Sequence, residues 1–529
     1  MKSLRQFLQK PWLYLFVIVL GVSLKFYHLN YKLFWFDEIC TVGHTSGNQF
    51  FYSPFGEIKN ITYYRDQVHL RNRDTNLGDQ MKGLFSGPNL TPMHYPFLMI
   101  WYRVVGDKPV HYRLFSVFIF LITLPFIFLL AKTLFQSSLA GWIACSLYTV
   151  SPYIHLYAQE ARYYILWAFC TILLHYVLLK AINGNKLKWW IVYTLAGILA
   201  MYTSVFSGII LAGHAIYVWI LKKETRFSFL IAVALITLCY LPWLVSMYTN
   251  REEIVNSLVW HKMDKILPVW APLVNQLLGY VRIFSFYKEY SLFWDDIGEL
   301  MGPSLVLEFT VNLLLLAFLV FCFIFMLRKS KREIKWFVLL IILPGFLTFY
   351  IFDVARNSLT SVWWRYLIFN TIGIFLIVSY FLFQKLKEGK VLYSLVYLGL
   401  IVISLFSVKT IAAPRYWYIG GNWQQKFIEN ARLFSEAEHP LVITDYSYWL
   451  GLGGAIVVFN ECSSENIDIL QLSADDPDIQ SKIPQETYSD IYLVYASDSL
   501  VRRLTEIYGQ GIQRLADERV SPMWRLDVN

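Results

Sequence analysis

Two adjacent carboxylates, Asp37 and Glu38, follow the first long apolar stretch of the chain, residues 11–29. A carboxylate is costly to carry into lipid, so a pair set at the edge of an apolar helix predicts work on something membrane-borne. Asp37 fits a general base acting on a substrate with a lipid tail, with Glu38 as its catalytic neighbour. Two further clusters have the same placement. Thr91-Pro92-Met93-His94-Tyr95-Pro96 opens a short apolar run, and Tyr157-Ala158-Gln159-Glu160-Ala161-Arg162-Tyr163-Tyr164 stands at the junction of two longer ones. Each has a plain structural alternative. Asp37 and Glu38 suit a helix N-terminus through its dipole, and Glu160 and Arg162 suit an ion pair at a helix junction. Arg365, beside Trp363 and Trp364, suits a side chain reaching up to the interface. His94, His155 and His261 suit interfacial hydrogen bonding. No H-E-x-x-H pattern or clustered Cys/His spacing argues for a metal.

The elements that must hold these groups are hydrophobic spans. The chain has 529 residues, 57% hydrophobic and 16% charged, where soluble domains carry about 25% charge. This composition predicts a polytopic membrane protein. A span needs about 20 mostly apolar residues, and eleven segments qualify: 11–29, 113–133, 139–156, 161–181, 188–203, 205–221, 227–247, 304–327, 335–352, 362–384 and 391–409. The run 94–105 is the awkward extra. With that run lying in the interface plane and the N-terminus cytoplasmic, loops 131–138, 180–188, 222–226, 328–335 and 384–390 fall on the cytoplasmic side, and they are rich in Lys and Arg. The positive-inside rule selects this arrangement. It also reads Met1–Lys10 as a retained cytoplasmic flank.

Everything unusual then faces outward: loop 31–112, turn 155–161, loop 248–303, turn 353–361 and the region after 410. Loop 31–112 predicts one or two short helices along the membrane surface. Loop 248–303 has the same aromatic texture, with Trp260-His261 and Trp294-Asp295-Asp296. The chain divides on this reading into a transmembrane domain, 1–410, and a small extracytoplasmic α/β domain, 411–529. The latter holds 9 Lys and Arg against 17 Asp and Glu, whereas the whole chain is +9. Nothing in this distribution suggests nucleic-acid binding. Within 411–529 the pattern predicts helices over 423–437 and 499–508 and strands over 440–444, 455–459 and 490–495. Gly451-x-Gly453-Gly454 lacks the strand–turn–helix surroundings of a dinucleotide site, and Asp475-Asp476-Pro477-Asp478 reads as a solvated turn.

Aspartate-glutamate after the first span, the Pro-Met-His-Tyr helix start, Gly106-Asp107 with Arg113, Ser151-Pro152 followed by Tyr-x-Gln-Glu-Ala-Arg-x-Tyr, and Arg365-Tyr366 together resemble the GT-C glycosyltransferases. The branch they look like contains protein O-mannosyltransferases and the bacterial aminoarabinose transferases of lipid A. The resemblance covers about residues 10–220 well and 411–529 only in kind. It implies an all-α polytopic fold with in-plane helices and an outer domain. It also implies transfer of a sugar from a polyprenyl-phosphate donor to a glycan, lipid or protein acceptor outside a bacterial cytoplasmic membrane. Asp37 would deprotonate the acceptor, Arg162, Arg365 and Tyr366 would hold the donor phosphate, and His94, Tyr95, Tyr157, Gln159, Glu160 and Tyr163 would line the site. Relatives carry a second acid before the helix start, where this chain has Pro88-Asn89-Leu90-Thr91-Pro92. That leaves His94 or Glu160 as its substitute and a divalent cation open. The rival readings are a transporter or flippase, or a non-catalytic binder, of lipid-linked glycans. Transporters show internal repeats and broken helices with polar groups at mid-membrane, and the sequence displays neither.

Overall fold

The computed structural model describes residues 10–46, 54–70, 76–86, 92–257, 267–286, 303–358, 360–417, 424–445, 451–484, 487–516 and 523–526. Phe50–Tyr52, 88–91, Trp260-His261, Trp294–Asp296 and Trp423 lie outside them. The chain forms two compact units. One comprises Met1–Leu29, Phe85–His94 and Arg113–Ala413; the other comprises Asn30–Leu84, Tyr95–Tyr112 and Pro414–Asn529.

The first unit is a helical bundle. Seven described helices are long and apolar enough to cross a membrane. Two of them form its centre: the apolar windows of Tyr164–Gly184 and Trp364–Lys387 are 83% and 94% buried. The windows of Lys223–Thr249 and Leu307–Lys329 are only 28% and 22% buried, as expected of helices turned toward lipid. The four other expected spans are helical but shorter: Pro11–Phe26, Ser138–Val150, Leu187–Thr203 and Ser207–Leu221.

One expected span is interrupted. Residues 139–156 form two helices, Ser138–Val150 and Pro152–Gln159, because Pro152 has no N–H to continue the first and suits the first turn of the second. Ser151 manages the break. Its Oγ accepts from the Ile154 N–H at 3.3 Å and donates to the Ile283 carbonyl at 2.7 Å. The interior also holds a polar chain: His175 Nδ1 lies 2.7 Å from His214 Nε2, and Tyr193 Oη lies 3.0 Å from His214 Nδ1. A broken helix and buried polar groups are therefore both present.

The second unit is built on a six-stranded mixed sheet, ordered β1-β3-β2-β4-β6-β5. Its strands are β1 (Ile58–Asn60), β2 (Pro440–Asp445), β3 (Asp468–Leu472), β4 (Asp490–Val494), β5 (Ile512–Ala516) and β6 (Met523–Leu526). β2 is central and runs parallel to both β3 and β4, whereas β1 pairs antiparallel with β3. Leu441, Ile443, Leu470, Leu493 and Trp524 pack one core from these strands. The helices over 425–436 and 498–508 and the strands at 440 and 490 match expectation.

The expected strand 455–459 is wrong. It lies inside the helix Gly451–Glu461, which links parallel β2 to parallel β3, and parallel neighbours need a crossover, usually helical. The strand-then-helix order said to be missing around Gly451 thus exists. The acidic segment is the expected turn, with Asp475, Pro477 and Asp478 exposed, but one of its carboxylates is not solvated. Asp476 is buried and pairs with Lys482 Nζ at 2.6 Å, and that ammonium holds its carboxyl below the usual range.

Three short helices come from the segment between the first two expected spans: Phe36–Thr45, Ile61–Asp66 and Leu77–Ser86. His94–Val105 has 12 residues. At about 1.5 Å per residue that is roughly 18 Å, short of the ~30 Å a span requires.

Candidate functional site

In the second unit, Asp37 sits in the first turn of the helix Phe36–Thr45, where its charge suits the helix dipole. The chain before it is tied to residues 414–417. Leu33 N donates to Arg415 O at 2.8 Å, Trp417 Nε1 donates to Leu33 O at 3.0 Å, and Lys32 Nζ donates to Tyr416 O at 3.1 Å while lying over the Trp417 ring. Gly453 sets the helix itself. A Cβ there would meet the Phe36 ring, so the absence of a side chain lets the helix Gly451–Glu461 pass close behind Asp37.

Asp37 is half-buried, whereas Glu38 is fully buried. Of the two carboxylates only Asp37 keeps solvent exposure. Tyr95 is buried and packs against the His44 ring, centroids 5.3 Å apart.

In the first unit, the turn carrying Gln159, Glu160 and Arg162 is fastened on two sides. Gln159 Nε2 donates to the Lys25 and Tyr27 carbonyls at 3.1 and 2.7 Å, and Ser116 Oγ donates to the Glu160 carbonyl at 2.6 Å. The Arg162 N–H donates to the same Glu160 carbonyl at 2.8 Å. The turn exists because Pro152–Gln159 ends at Glu160 in extended conformation and the next helix begins only at Tyr164.

Arg365 lies on a 3-10 turn, Trp364–Leu367, whose start and approach are fastened. Tyr153 Oη donates to the Trp364 carbonyl at 2.5 Å. Upstream, the buried Asp353 carboxylate accepts from Ser358 Oγ at 2.9 Å, Thr360 N at 2.7 Å and Ser361 N at 2.9 Å.

These supports bring the two expected phosphate-binding arginines to one ring. The Arg162 and Arg365 guanidinium carbons stand 5.8 and 5.7 Å from the Tyr164 centroid. Arg162 also lies over Tyr163, and Arg365 over Trp363 and Tyr366. Tyr157 joins through a ring contact to Tyr164 at 5.5 Å and is within electrostatic reach of Glu160 and Arg365. His94 is buried against Phe115. Burial, then the charge of Arg162, pull its imidazole down to about 3, so it is neutral at ordinary pH and fits a hydrogen-bonding role better than a second base. Among the described residues no three His, Cys, Asp or Glu side chains gather as a metal would require.

Sequence reasoning passed over three neighbours. Tyr164 was read as part of a motif, and only the structure makes it the ring common to both arginines. Arg282 follows the helix Trp270–Val281 and stacks its guanidinium on Trp364, 3.2 Å from the ring centroid. Its signal was a lone arginine in an aromatic segment between two expected spans. Lys25 is the sole charge of the helix Pro11–Phe26; it is fully buried, with its Nζ 5.1 Å from the Phe120 centroid.

Residues 88–245 match the family described as dolichyl-phosphate-mannose-protein mannosyltransferase. No curated protein matches the chain by sequence. Among solved structures, ArnT from Cupriavidus metallidurans bound to undecaprenyl phosphate aligns at TM-score 0.52 and 12% identity, covering 97% of each chain. The same protein in the apo state aligns at TM-score 0.54 and 10% identity, again over 97% of each. The chain therefore has an ArnT-like fold, of the GT-C type its motifs resemble, and is a multi-pass membrane protein.

Proposed function

We propose that this protein is a glycosyltransferase that moves a sugar from a polyprenyl-phosphate donor to an acceptor at the outer face of a bacterial cytoplasmic membrane. Asp37 takes the proton of the acceptor hydroxyl or amine as the freed lone pair attacks the anomeric carbon. The bond from that carbon to the phosphate oxygen breaks, and its electron pair leaves with the polyprenyl phosphate. Charge grows on the phosphate as the bond breaks, and cations placed for that charge lower the barrier. Arg162 and Arg365 supply them as planar multi-donor groups, with Tyr366 beside Arg365. Glu38, Tyr95, His94, Tyr157, Gln159, Glu160 and Tyr163 shape the site. The chief support is the shared Tyr164 ring, at the start of a central helix, against which both buried arginines set their guanidinium groups. The undecaprenyl phosphate bound by ArnT supports a carrier of that class.

The test is turnover by purified protein in lipid with defined polyprenyl-phosphate sugars. Asp37→Asn should lower transfer about a hundredfold or more, the usual worth of general-base help. Unchanged turnover removes Asp37 from the role. The break at Ser151 and the His175–His214 pair favour a second reading, a carrier of lipid-linked glycans. Flux of labelled donor across vesicles without any transfer would select it.

A further inference from the structure

We infer that Arg282 is a positioning residue of the donor site: it clamps the Trp364 ring, and through that ring it aims Arg365. The inference rests on the transferase reading above. Arg282 is 6% exposed, and its guanidinium carbon stands 3.2 Å from the Trp364 centroid. A guanidinium stays charged in a protein, and its burial is costly unless the surroundings compensate it. An aromatic face does so, because the planar cation stacks on the negative face of the ring. Trp364 needs that contact in turn. Its indole N–H is buried and makes no hydrogen bond among the described residues, so packing alone orients the ring.

The clamp has several rigid parts. The helix Trp270–Val281 presses on the ring at Gly279, where a Cβ would stand 3.1 Å from Trp364 Cδ1. Phe286 meets the ring edge-on, at 80° and 5.6 Å between centroids, and Arg282 lies over Phe286 at 5.5 Å. Three serine hydroxyls fix the segment that carries Arg282 and Phe286. Ser151 Oγ donates to the Ile283 carbonyl at 2.7 Å, Ser404 Oγ donates to the Phe284 carbonyl at 3.3 Å, and Ser407 Oγ accepts from the Phe286 N–H at 3.1 Å. The main chain of Trp364 is held as well, by the Tyr153 hydroxyl on its carbonyl at 2.5 Å.

Arg365 is the next residue on the same 3-10 turn. With the ring before it clamped, the turn cannot rotate without breaking the stack, and Arg365 keeps its place against Tyr164. A binding group fixed in advance loses little freedom when its ligand arrives. The precision matters, since a misplacement of about 1 Å can cost about a hundredfold in rate. Lysine at 282 would keep the charge and lose the planar stack.

The experiment uses the full-length protein in lipid with one defined polyprenyl-phosphate sugar, reading donor KM, kcat and the melting temperature. Arg282→Lys should raise donor KM about tenfold, the worth of a desolvated cation–ring contact, while kcat changes little. In an Arg365→Ala background the same substitution should add less than about twofold, because two residues that act through one contact are not additive. Trp364→Phe gives the same cycle with a milder change, should Arg282→Lys fail to fold. A full tenfold effect in the Arg365→Ala background would mean that Arg282 meets the donor by itself, and would overturn the inference. So would a lower melting temperature with unchanged donor KM. Arg365→Ala that leaves donor KM untouched would instead remove the donor site on which the underlying reading depends.

Discussion

Phe36 and Gly453 meet so closely that a Cβ on Gly453 would stand 2.9 Å from the phenyl ring. A residue without a side chain, more than 400 positions away in the sequence, thereby sets the seat of the helix that presents Asp37. Gly453→Val must push Phe36 aside, and overpacking of this kind costs about 1–3 kcal/mol. Transfer should fall at least tenfold, and Phe36→Ala in the same background should restore part of it. Equal rates in Gly453→Val and wild type would show that the helix is seated by other contacts.

Arg162 and Arg365 should act as a pair. A hydrogen bond to a charged group is worth about 1.5–3 kcal/mol, so replacing either by Lys should raise the donor half-saturation concentration roughly ten- to a hundredfold. Because both guanidinium groups lie against Tyr164, Tyr164→Leu should weaken donor binding too. Arg365→Lys should then cost less in that background than in wild type. A double-mutant cycle on donor titrations measures this coupling, and strict additivity would separate the two arginines.

His94 gives a pH dependence with a defined sign. Its imidazole stands near 3 in the folded protein because it is buried and close to Arg162, against an ordinary value near 6.5. Below pH 6.5 the unfolded chain takes up a proton that the folded one refuses until about pH 3. Stability is therefore intact above pH 6.5 and drains as pH falls, by about 1.4 kcal/mol per unit at most. His94→Gln should flatten the fall of the melting temperature between pH 7.5 and 5. An unchanged slope would show that other groups govern it.

Asp353 should matter to donor binding without touching the donor. Its carboxylate takes three hydrogen bonds that shape the turn leading to Arg365. Asp353→Ala leaves those buried donors unmatched, at about 1–3 kcal/mol for each group stranded. The expected result is a lower melting temperature together with weaker donor binding, read by thermal unfolding and donor titration. A lower melting temperature with full donor affinity would confine Asp353 to stability.

Much of this was legible in residue order because the bilayer enforces a simple pattern. Apolar stretches of span length became helices, and Pro11, at the start of the first, and Asn185, left-handed after the fourth expected span, mark helix ends by ordinary rules. The strand expected at 455–459 failed because β-branched residues fit a buried crossover helix as well as a strand, and only the parallel pairing of β2 with β3 decides between them. Pro152 was visible, yet hydropathy averaged across it and hid the break. Among the candidate residues, Asp37, Arg162 and Arg365 were readable as charges at the edges of apolar runs. Tyr164, Arg282 and Gly453 were not, since their importance comes from contacts that join distant segments.

The sheet of the second unit has a consequence in time. Its edge strand β1 is residues 58–60, yet the strand it pairs with is 468–472. Arg65 likewise reaches forward: its Nε donates to Phe459 O at 2.8 Å and its NH2 group to Ser464 O at 3.2 Å, with Cys462 O as a third acceptor. During synthesis, at about 5–20 residues per second, the Asp37 helix must wait some tens of seconds for these partners to be made. Residues 58–65, which emerge early, thus wait for their backbone and guanidinium partners until residues 459–472 have been made.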